Sequence, residues 1–254
     1  MSSENEPDNI YATTPLRWDA SDIGVSHISP KGTDRAIWRF QRQMASLIFN
    51  DAALEGNTYT EPEVRTLLDG VSVEGHSEEE EAQILNLSLG ADLVLNLVRN
   101  GKFALSKDVS CRLHAIIAKD EAIDAGQFRG ENPSSGGGGT VNVMGESTFH
   151  GPDAGPGLVQ IFNDGLDRID SIQHPVLKGA TYAAFAAYNQ FYFDGNKRTS
   201  RYMMNGEIMA GGYDPILTPV RRKREYIDAL AVMYRTGDAS KYIAFTISLY
   251  NDSD

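Results

Sequence analysis

The chain has 254 residues, 41% of them hydrophobic, and carries a formal net charge of −12. This length fits one large domain, or one domain with a helical extension, and the single cysteine, Cys111, excludes an internal disulfide and argues against a cysteine-based zinc site. The acidity argues against general nucleic-acid binding, and no apolar run reaches the roughly 18 residues of a membrane helix.

Residues 1–30 are rich in Ser, Asp, Pro and Gly, which predicts a loosely ordered N-terminal segment. Their polar, acidic start is unlike a signal peptide, so we expect a cytoplasmic protein. Region 31–105 is predicted to form N-terminal helices. The first of these begins at Thr33 and ends before Gly56, a residue type common at helix C-caps. Two more helices are predicted over 61–68 and 78–99.

Region 106–254 combines helices with one pair of strands. Residues 130–139 read GENPSSGGGG and predict a flexible loop, and the alternating pattern over 140–149 predicts a β-hairpin. Helices are predicted after the cap residue Ser106 and again after Pro156. The later helices are predicted over 157–169, 175–191, 196–210, 221–235 and 240–250. The expected fold class is therefore all-α, a helical bundle with one small hairpin.

Residues 194–201 read DGNKRTSR and lie between two helices whose apolar sequences predict burial. Arg198 and Arg201 are three residues apart, which puts both guanidinium groups on one helical face. A helix start also offers unpaired N–H groups and the positive end of the helix dipole. These features predict a polyphosphate site in which Asp194 holds a divalent metal. The plainer alternative is a helix cap, a turn at Gly195–Asn196 and two solvated arginines.

This octet, its helical setting and the hairpin resemble the Fic (Fido) family, whose signature reads His-Pro-Phe-x-Asp/Glu-Gly-Asn-x-Arg-x-x-Arg. Residues 126–129, GQFR, resemble the family's Gly-x-aromatic-Arg stretch, and His174-Pro175-Val176 resembles the start of the helix before the signature. The resemblance covers most of residues 35–250. It implies a Fic/Fido-type helical bundle in which the hairpin is a flap over the site.

Members of this family move AMP from ATP to a hydroxyl of a target protein. The resemblance therefore implies ATP as substrate, Mg²⁺ held by Asp194, and a target protein docked on the flap 140–149 by strand addition. Whether the chain forms a homodimer is left open by the sequence. The resemblance also implies that five residues shape the anion cradle and hold the phosphates, namely Gly195, Asn196, Lys197, Arg198 and Arg201. Such transfer depends mainly on positioning and electrostatic stabilisation.

Gln190 stands where the family has its catalytic histidine, four residues before the acidic position. A glutamine amide can orient a hydroxyl but does not take its proton, and losing a general base typically costs about 10²–10⁴ in rate. Of the five histidines in the chain, only His150, at the end of the flap, is expected to approach the site. The alternative to an impaired AMP transferase is therefore a catalytically inactive, nucleotide-binding pseudoenzyme or interaction module.

Lys197 stands where the transferases usually have glycine. A lysine there is similar to the Doc-type branch, whose members phosphorylate their target with a reversed nucleotide, so a Doc-like protein kinase is a further alternative. That branch usually has alanine at the position of Gly195 and keeps the histidine, so this sequence is intermediate. Without the resemblance, Lys197 is a solvated lysine in the first turn of a helix.

Residues 49–57, FNDAALEGN, resemble the Ser/Thr-x-x-x-Glu-Gly/Asn inhibitory helix found in many Fic proteins. The resemblance implies autoinhibition by a helix at about 45–57, in which Glu55 pairs with Arg201 and displaces the γ-phosphate. A carboxylate in the last turn of a helix faces the negative end of the dipole, which favours a cationic partner. Asp51 stands where the motif has its hydroxyl residue, and an exposed C-terminal glutamate is the alternative.

Overall fold

The computed structural model describes residues 8–12, 15–19, 23–133 and 135–251. These residues form helices and one three-stranded sheet, which confirms the predicted helical bundle with a small flap. The helices are α1 (Thr33–Glu55), α2 (Glu61–Leu68), α3 (Glu78–Arg99), α4 (Lys107–Ile117), α5 (Gly157–Asp170), α6 (Pro175–Asn189), α7 (Asn196–Ala210), α8 (Lys223–Thr236) and α9 (Ser240–Asn251), with a 3₁₀ turn over Val220–Arg222. The strands are β1 (Asp8–Tyr11), β2 (Thr140–Val143) and β3 (Ser147–His150).

Local capping sets several of the predicted helix boundaries. The Ser77 side chain accepts a 3.2 Å hydrogen bond from the Glu80 N–H, and the Glu80 carboxylate accepts a 3.1 Å bond from the Ser77 N–H. This reciprocal pair closes the N-terminus of α3. Helix α1 ends where Gly56 adopts a left-handed φ of 104° and turns the chain. Both boundaries lie where the sequence pattern predicts them.

Helices α6 and α7 form the most extensive helix pair of the described chain and are buried along most of their length. A small residue permits their close approach, because a Cβ on Gly179 of α6 would lie only 2.9 Å from the Met204 carbonyl oxygen of α7. Helices α3, α4 and α9 pack around this pair. The loop between α6 and α7 is thus held at both ends by the buried centre of the molecule.

Strands β2 and β3 form the predicted hairpin, in an antiparallel register that sets Val141 opposite Phe149. Phe149 is fully buried and contacts the rings of Tyr188 on α6 and Tyr234 on α8. The inner face of the hairpin is therefore anchored on two helices. We call residues 140–150 the flap.

The structure adds a strand that the composition of residues 1–30 does not predict. Strand β1 lies parallel to β3, with Ile10 opposite Phe149, and the sheet order is β1–β3–β2. Further along, the Arg17 N–H donates to the Gly237 carbonyl oxygen at 2.9 Å. This segment therefore packs across the fold, because its main chain satisfies the otherwise unpaired backbone edge of β3. The expectation of loose order also covers residues 1–7, 13–14 and 20–22, which lie outside the described residues.

Within the described ranges, no helix combines the length and the apolar character that crossing a lipid bilayer requires. The cytoplasmic location expected from the sequence stays a prediction. The division into three regions, with boundaries after residues 30 and 105, also stays a prediction.

Candidate functional site

The loop between α6 and α7, together with the first two turns of α7, carries most of the predicted site residues. Helix α6 ends at Asn189, two residues earlier than predicted, because Gln190 adopts a left-handed conformation (φ 48°, ψ 55°) that stops the helix. No Gly or Pro stands at this point to signal the stop. The Gln190 carbonyl oxygen accepts a 2.6 Å hydrogen bond from Arg129 Nε, so a distant side chain favours the turn.

Gly195 makes the second turn of this loop, with a left-handed φ of 71°. A Cβ at this position would lie 2.9 Å from the Ala118 Cβ, so a larger residue has no room. Helix α7 begins directly afterwards with Asn196. The loop therefore presents the unpaired N–H groups of a helix start, as the octet predicts.

A cavity of about 250 Å³ lies over the start of α7, and we call it the polar cavity. Its lining combines the flap, the α6–α7 loop and the end of α1. The lining residues are Glu55, Thr140, Val141, Asn142, Gln190, Phe193, Asp194, Gly195, Asn196, Lys197 and Arg198. Most of the predicted site residues thus line one cavity.

A second cavity, of about 280 Å³, adjoins the polar cavity, and we call it the apolar cavity. The two share Val141, Asn142 and Lys197 in their linings. The other walls of the apolar cavity come from α1, the hairpin and α8, and they are Leu54, Val143, Met144, Tyr226, Ile227, Leu230, Ala231 and Tyr234. A polar space beside an apolar, aromatic one suits a ligand with a charged chain and a planar ring.

Arg198 is buried and lines the polar cavity. Its Nη1 lies 2.8 Å from Glu121 Oε1, and its Nη2 lies 4.0 Å from Asp194 Oδ1. Burial alone would lower the pKa of Arg198, but the Glu121 carboxylate outweighs this effect and raises it. The guanidinium therefore stays charged, and a carboxylate of the chain balances it.

Arg201 is also buried, but among the described residues it does not line either cavity. Its Nε lies 2.6 Å from Asp51 Oδ1, its Nη1 donates to the Tyr226 hydroxyl at 2.9 Å, and its Nη2 lies 3.5 Å from Glu55 Oε1. Burial alone would lower the pKa of Arg201, but the Asp51 carboxylate outweighs it and raises the pKa well above its ordinary value. Residues of α1 and α8 thus occupy this arginine on three sides.

Glu55 joins two cations of the octet. Its Oε2 lies 2.8 Å from Lys197 Nζ, a shorter contact than the one with Arg201. Burial acts to raise the pKa of Glu55, but Lys197 and Arg201 outweigh it and hold the pKa below its ordinary value. Glu55 therefore lies beside Arg201, where the resemblance implies, yet Asp51 makes the shorter contact with that arginine. The inhibitory role of Glu55 stays a prediction.

Asp194, the predicted metal ligand, has a side chain that is 68% exposed at the polar cavity. Its Oδ1 accepts a 2.6 Å hydrogen bond from the Gly195 N–H. Across the described part of the chain, no group of three or more His, Cys, Asp or Glu side chains could hold a metal ion. One exposed carboxylate beside the polar cavity fits Mg²⁺, which commonly takes its other ligands from substrate phosphates and water.

The Gln190 side chain is buried, and both ends of its amide are hydrogen-bonded. Oε1 accepts from Asn196 Nδ2 at 3.1 Å, and Nε2 donates to the Ala187 carbonyl oxygen at 2.5 Å and lies 3.5 Å from the Tyr234 hydroxyl. Gln190 therefore connects the end of α6 with the start of α7. Its amide contributes no basic nitrogen to the cavity.

His150, the histidine expected to approach the site, contacts strand β1 instead. Its Nε2 lies 3.0 Å from Asn9 Oδ1. Among the described residues, no histidine lines either cavity. The structure therefore offers no observation in support of His150 as a substitute base.

His114 supports the α6–α7 loop, although its amphipathic helix indicates only a packed or surface residue. It is fully buried, and its ring stacks on Tyr192 with centroids 3.7 Å apart. Nδ1 accepts from the Gly126 N–H at 2.9 Å, so Nε2 carries the proton and donates to the Asp194 carbonyl oxygen at 2.8 Å. Burial lowers the pKa of His114 to about 4, which keeps the ring neutral.

The partners of the signature residues that sequence reasoning missed come from distant elements. Asp51 carried a signal, because it lies one turn before Glu55 and therefore on the same face of α1. Glu121 lies in the turn after α4, and nothing in its local sequence indicates that it pairs with Arg198. His114 and Tyr226 likewise reach the loop only through the packing of α4 and α8.

Comparison with known proteins agrees with this geometry. The family model described as "Fic/DOC family" matches residues 104–206, which contain the GQFR stretch, the flap and the α6–α7 loop. This chain carries a Fic/DOC domain. The resemblance drawn from the sequence is therefore confirmed at the level of the family.

Curated relatives extend the similarity beyond that segment. Protein adenylyltransferase Fic of Drosophila willistoni is 30% identical over 209 residues, which cover 78% of this chain and 38% of the relative. The protein of the same name from Aedes aegypti is 28% identical over 237 residues, covering 90% of this chain and 44% of the relative. The chain thus spans less than half the length of these relatives.

Solved structures share the fold at lower identity. Fic-1 from C. elegans superposes with a TM-score of 0.68 at 21% identity, covering 86% of this chain and 63% of the other. A Fic domain containing signaling protein from Bacteroides thetaiotaomicron gives a TM-score of 0.67 at 18% identity, covering 88% and 86%. At identities this low, the superpositions establish a common fold and nothing more. They confirm the predicted Fic-type bundle.

Proposed function

We propose that this Fic/DOC protein binds ATP with Mg²⁺ and transfers AMP to a hydroxyl of a target protein, under autoinhibition and at a rate limited by Gln190. The pair of adjoining cavities, one polar and one apolar, carries the proposal. The names of the curated relatives, protein adenylyltransferases, support the same reaction.

The two cavities together match the parts of a nucleoside triphosphate. The phosphates would lie in the polar cavity, where Lys197, Arg198 and the N–H groups of α7 supply positive charge. The base would occupy the apolar cavity, against Tyr226 and Tyr234. Lys197 lines both cavities, so the nucleotide would pass beside its ammonium group.

AMP transfer requires the target oxygen to bond to the α-phosphorus while the bond to the pyrophosphate oxygen breaks and the hydroxyl loses its proton. The cations and N–H groups at the start of α7 stabilise the negative charge that develops on the phosphates. Mg²⁺, when held by Asp194, adds further charge neutralisation. Position 190 supplies no strong acceptor, so the proton passes to water, and this step limits the rate.

The contacts of Arg201 support the proposed autoinhibition. Asp51 and Glu55 already occupy the guanidinium, and Glu55 also holds Lys197. A phosphate that binds these cations must first displace the carboxylates, which lowers the affinity for ATP. The end of α1 would therefore act as a brake on nucleotide binding.

A target segment would bind the flap by adding a strand beside β2. The outer edge of β3 is already covered by β1, and the sheet order leaves β2 at the other edge of the described sheet. Main-chain hydrogen bonds along that edge would align an extended target segment with the polar cavity.

A second candidate function is nucleotide binding without transfer. Gln190 favours it, because both ends of the amide are bonded within the protein and the position supplies no base. A Doc-like kinase, suggested by Lys197, would instead transfer the γ-phosphate.

One experiment separates these functions. The protein and its Glu55→Gly and Gln190→His variants are incubated with ATP and Mg²⁺, and intact mass and calorimetric affinity are measured. A mass gain of AMP supports the proposal, and a gain of phosphate favours the kinase. Binding without any gain, even in Gln190→His, favours the nucleotide-binding module. Absence of nucleotide binding in all three proteins would contradict every version of the proposal.

A further inference from the structure

Arg129 is a fully buried cation that none of the preceding roles uses. It lies in an irregular segment after α4, and its backbone already joins two parts of the fold. The Arg129 N–H donates to the Phe191 carbonyl oxygen at 2.9 Å, and the Arg129 carbonyl accepts from the Gly155 N–H at 3.0 Å. The residue is therefore fixed between the α6–α7 loop and the segment that follows the flap.

Within the described residues, its side chain hydrogen-bonds only to backbone carbonyl groups. Nε donates to the Gln190 oxygen at 2.6 Å, Nη1 to the Gly137 and Gly138 oxygens at 3.0 and 3.1 Å, and Nη2 to the Pro152 oxygen at 2.8 Å. Within the described ranges no carboxylate forms an ion pair with it. A planar guanidinium with five N–H groups suits four such acceptors in fixed directions, which an ammonium group does not match.

These four carbonyl groups belong to three places that the mechanism needs in register. Gly137 and Gly138 lie just before β2, Pro152 lies just after β3, and Gln190 is the position of the missing base. One side chain thus connects both stems of the flap to the reacting end of the polar cavity. The two ends of the flap are also joined directly, because the Gly139 carbonyl oxygen accepts a hydrogen bond from the Gly151 N–H at 2.8 Å.

The glycine run that reads as a flexible loop has a packing role here. A Cβ on Gly139 would overlap the Arg129 guanidinium, and a Cβ on Gly138 would lie 2.6 Å from the Phe193 ring and 3.1 Å from Arg129 Cδ. Both glycines have left-handed φ values, 69° at Gly138 and 78° at Gly139. The backbone before β2 therefore passes directly against the guanidinium, and only glycine permits this approach.

We infer that Arg129 is a positioning residue that fixes the flap over the polar cavity and holds it in register with position 190. The flap tip is held differently. There, Arg235 pairs with Glu146 at 2.5 Å, and both side chains are exposed enough for water to compete. We therefore expect the buried Arg129 contacts at the two ends of the flap to stabilise its position much more than the exposed Arg235–Glu146 pair at its tip does.

Hydrogen exchange tests this without any nucleotide. In Arg129→Met the flap amides of 140–150 should exchange at least about tenfold faster than in the wild type, since even one charge-assisted hydrogen bond shifts an opening equilibrium by roughly that factor. Amides in the middle of α6 and α7 should keep their protection. Arg235→Met is the matched control, with an expected change of about threefold or less.

Two further variants keep the test decisive if methionine at 129 prevents folding. Arg129→Lys keeps the charge without the fork, and Gly139→Ala keeps the guanidinium but pushes against it, so both should raise flap exchange. Unchanged flap exchange in these variants, or an equal rise in Arg235→Met, would overturn the inference.

A second readout rests on the proposed function. In a Gln190→His background, adding Arg129→Lys should lower kcat while KM for ATP stays within about threefold, because the residue orients the acceptor side and leaves the phosphate contacts in place. A rise in KM with unchanged kcat would contradict the positioning role. If no transfer occurs in this background, the proposed function fails while the exchange result still decides the inference.

Discussion

The two ends of the polar cavity hold their charges in different ways. At the proposed phosphate end, Lys197 and Arg198 line the polar cavity and Arg201 follows on the same helix, and each cation has a carboxylate partner from another element. At the flap end, Arg129 bonds to backbone carbonyl groups, and Gln190 is held by an amide and a carbonyl.

The difference teaches which end can change state. A phosphate can replace a carboxylate on an arginine, because both are anions that accept the same fork of hydrogen bonds. A backbone carbonyl that anchors a turn has no such substitute. We therefore expect the proposed phosphate end to respond to a ligand, and the flap end to keep its position when the ligand binds.

The largest expected effect is at the fixed end. Gln190→His should raise the rate of AMP transfer by about 10²–10⁴, since it supplies the proton acceptor that the position lacks. Intact mass against time with ATP and Mg²⁺ measures the rate. Gln190→Asn, which changes the side chain without adding a base, is the control and should show no gain. Equal rates in both variants would mean that the flap end does not present a hydroxyl to this position.

Arg201→Met tests the phosphate end through stability. It leaves Asp51 buried without its cation, which should cost about 3–5 kcal/mol in the free energy of unfolding. Arg198→Met is the matched variant and should cost less, because its partner Glu121 is partly exposed and can be hydrated. Denaturant unfolding compares the two. Similar losses would show that the two arginines are embedded alike, against the contacts described.

His114 is a neutral residue that hydrogen-bonds to the Asp194 carbonyl in the α6–α7 loop, and the pH dependence of stability tests its contribution. Its pKa is about 4 in the folded protein against an ordinary value of 6.5, so the unfolded chain binds the extra proton first as pH falls. Above pH 6.5 the protonation of His114 has no effect on stability. As the pH falls from 6.5 to 4, it lowers the free energy of unfolding progressively, by roughly 3 kcal/mol in all. In His114→Gln this part of the pH dependence should vanish. An unchanged slope of unfolding free energy with pH would contradict a buried neutral ring.

The smallest expected effect concerns the brake. Glu55→Gly frees Lys197 and relieves one contact of Arg201, so the affinity for ATP should rise about 5- to 30-fold, which corresponds to roughly 1–2 kcal/mol. Calorimetric titration measures it, with Glu146→Gln on the flap tip as a charge-matched control. Asp51→Asn sharpens the comparison, because a larger gain there would identify Asp51 as the principal anion on Arg201. Unchanged affinity in both variants would exclude the end of α1 as a brake.

What the sequence could predict was set by local chemistry. The capping pair of Ser77 and Glu80, the stop at Gly56 and the octet at the start of α7 are local patterns, and the structure has these boundaries where they are predicted. The early end of α6 could not be predicted, because the turn at Gln190 is stabilised by a hydrogen bond from Arg129, which lies 61 residues away in the sequence.

The partners of the signature residues were hidden for the same reason. Glu121 and His114 reach the loop through the packing of α4, and β1 is a strand only because β3 offers it an edge. Asp51 lay within a recognised motif, but its replacement of a hydroxyl residue obscured that it would pair with Arg201. Contacts between distant elements leave no periodic trace in either segment.

The parallel pairing of β1 with β3 determines which border strands the described sheet has. β1 forms one lateral border and β2 forms the other. Of these two strands only β2 lines the polar cavity, so an extended peptide added beside β2 would lie next to the candidate site, whereas one added beside β1 would lie two strands away from β2.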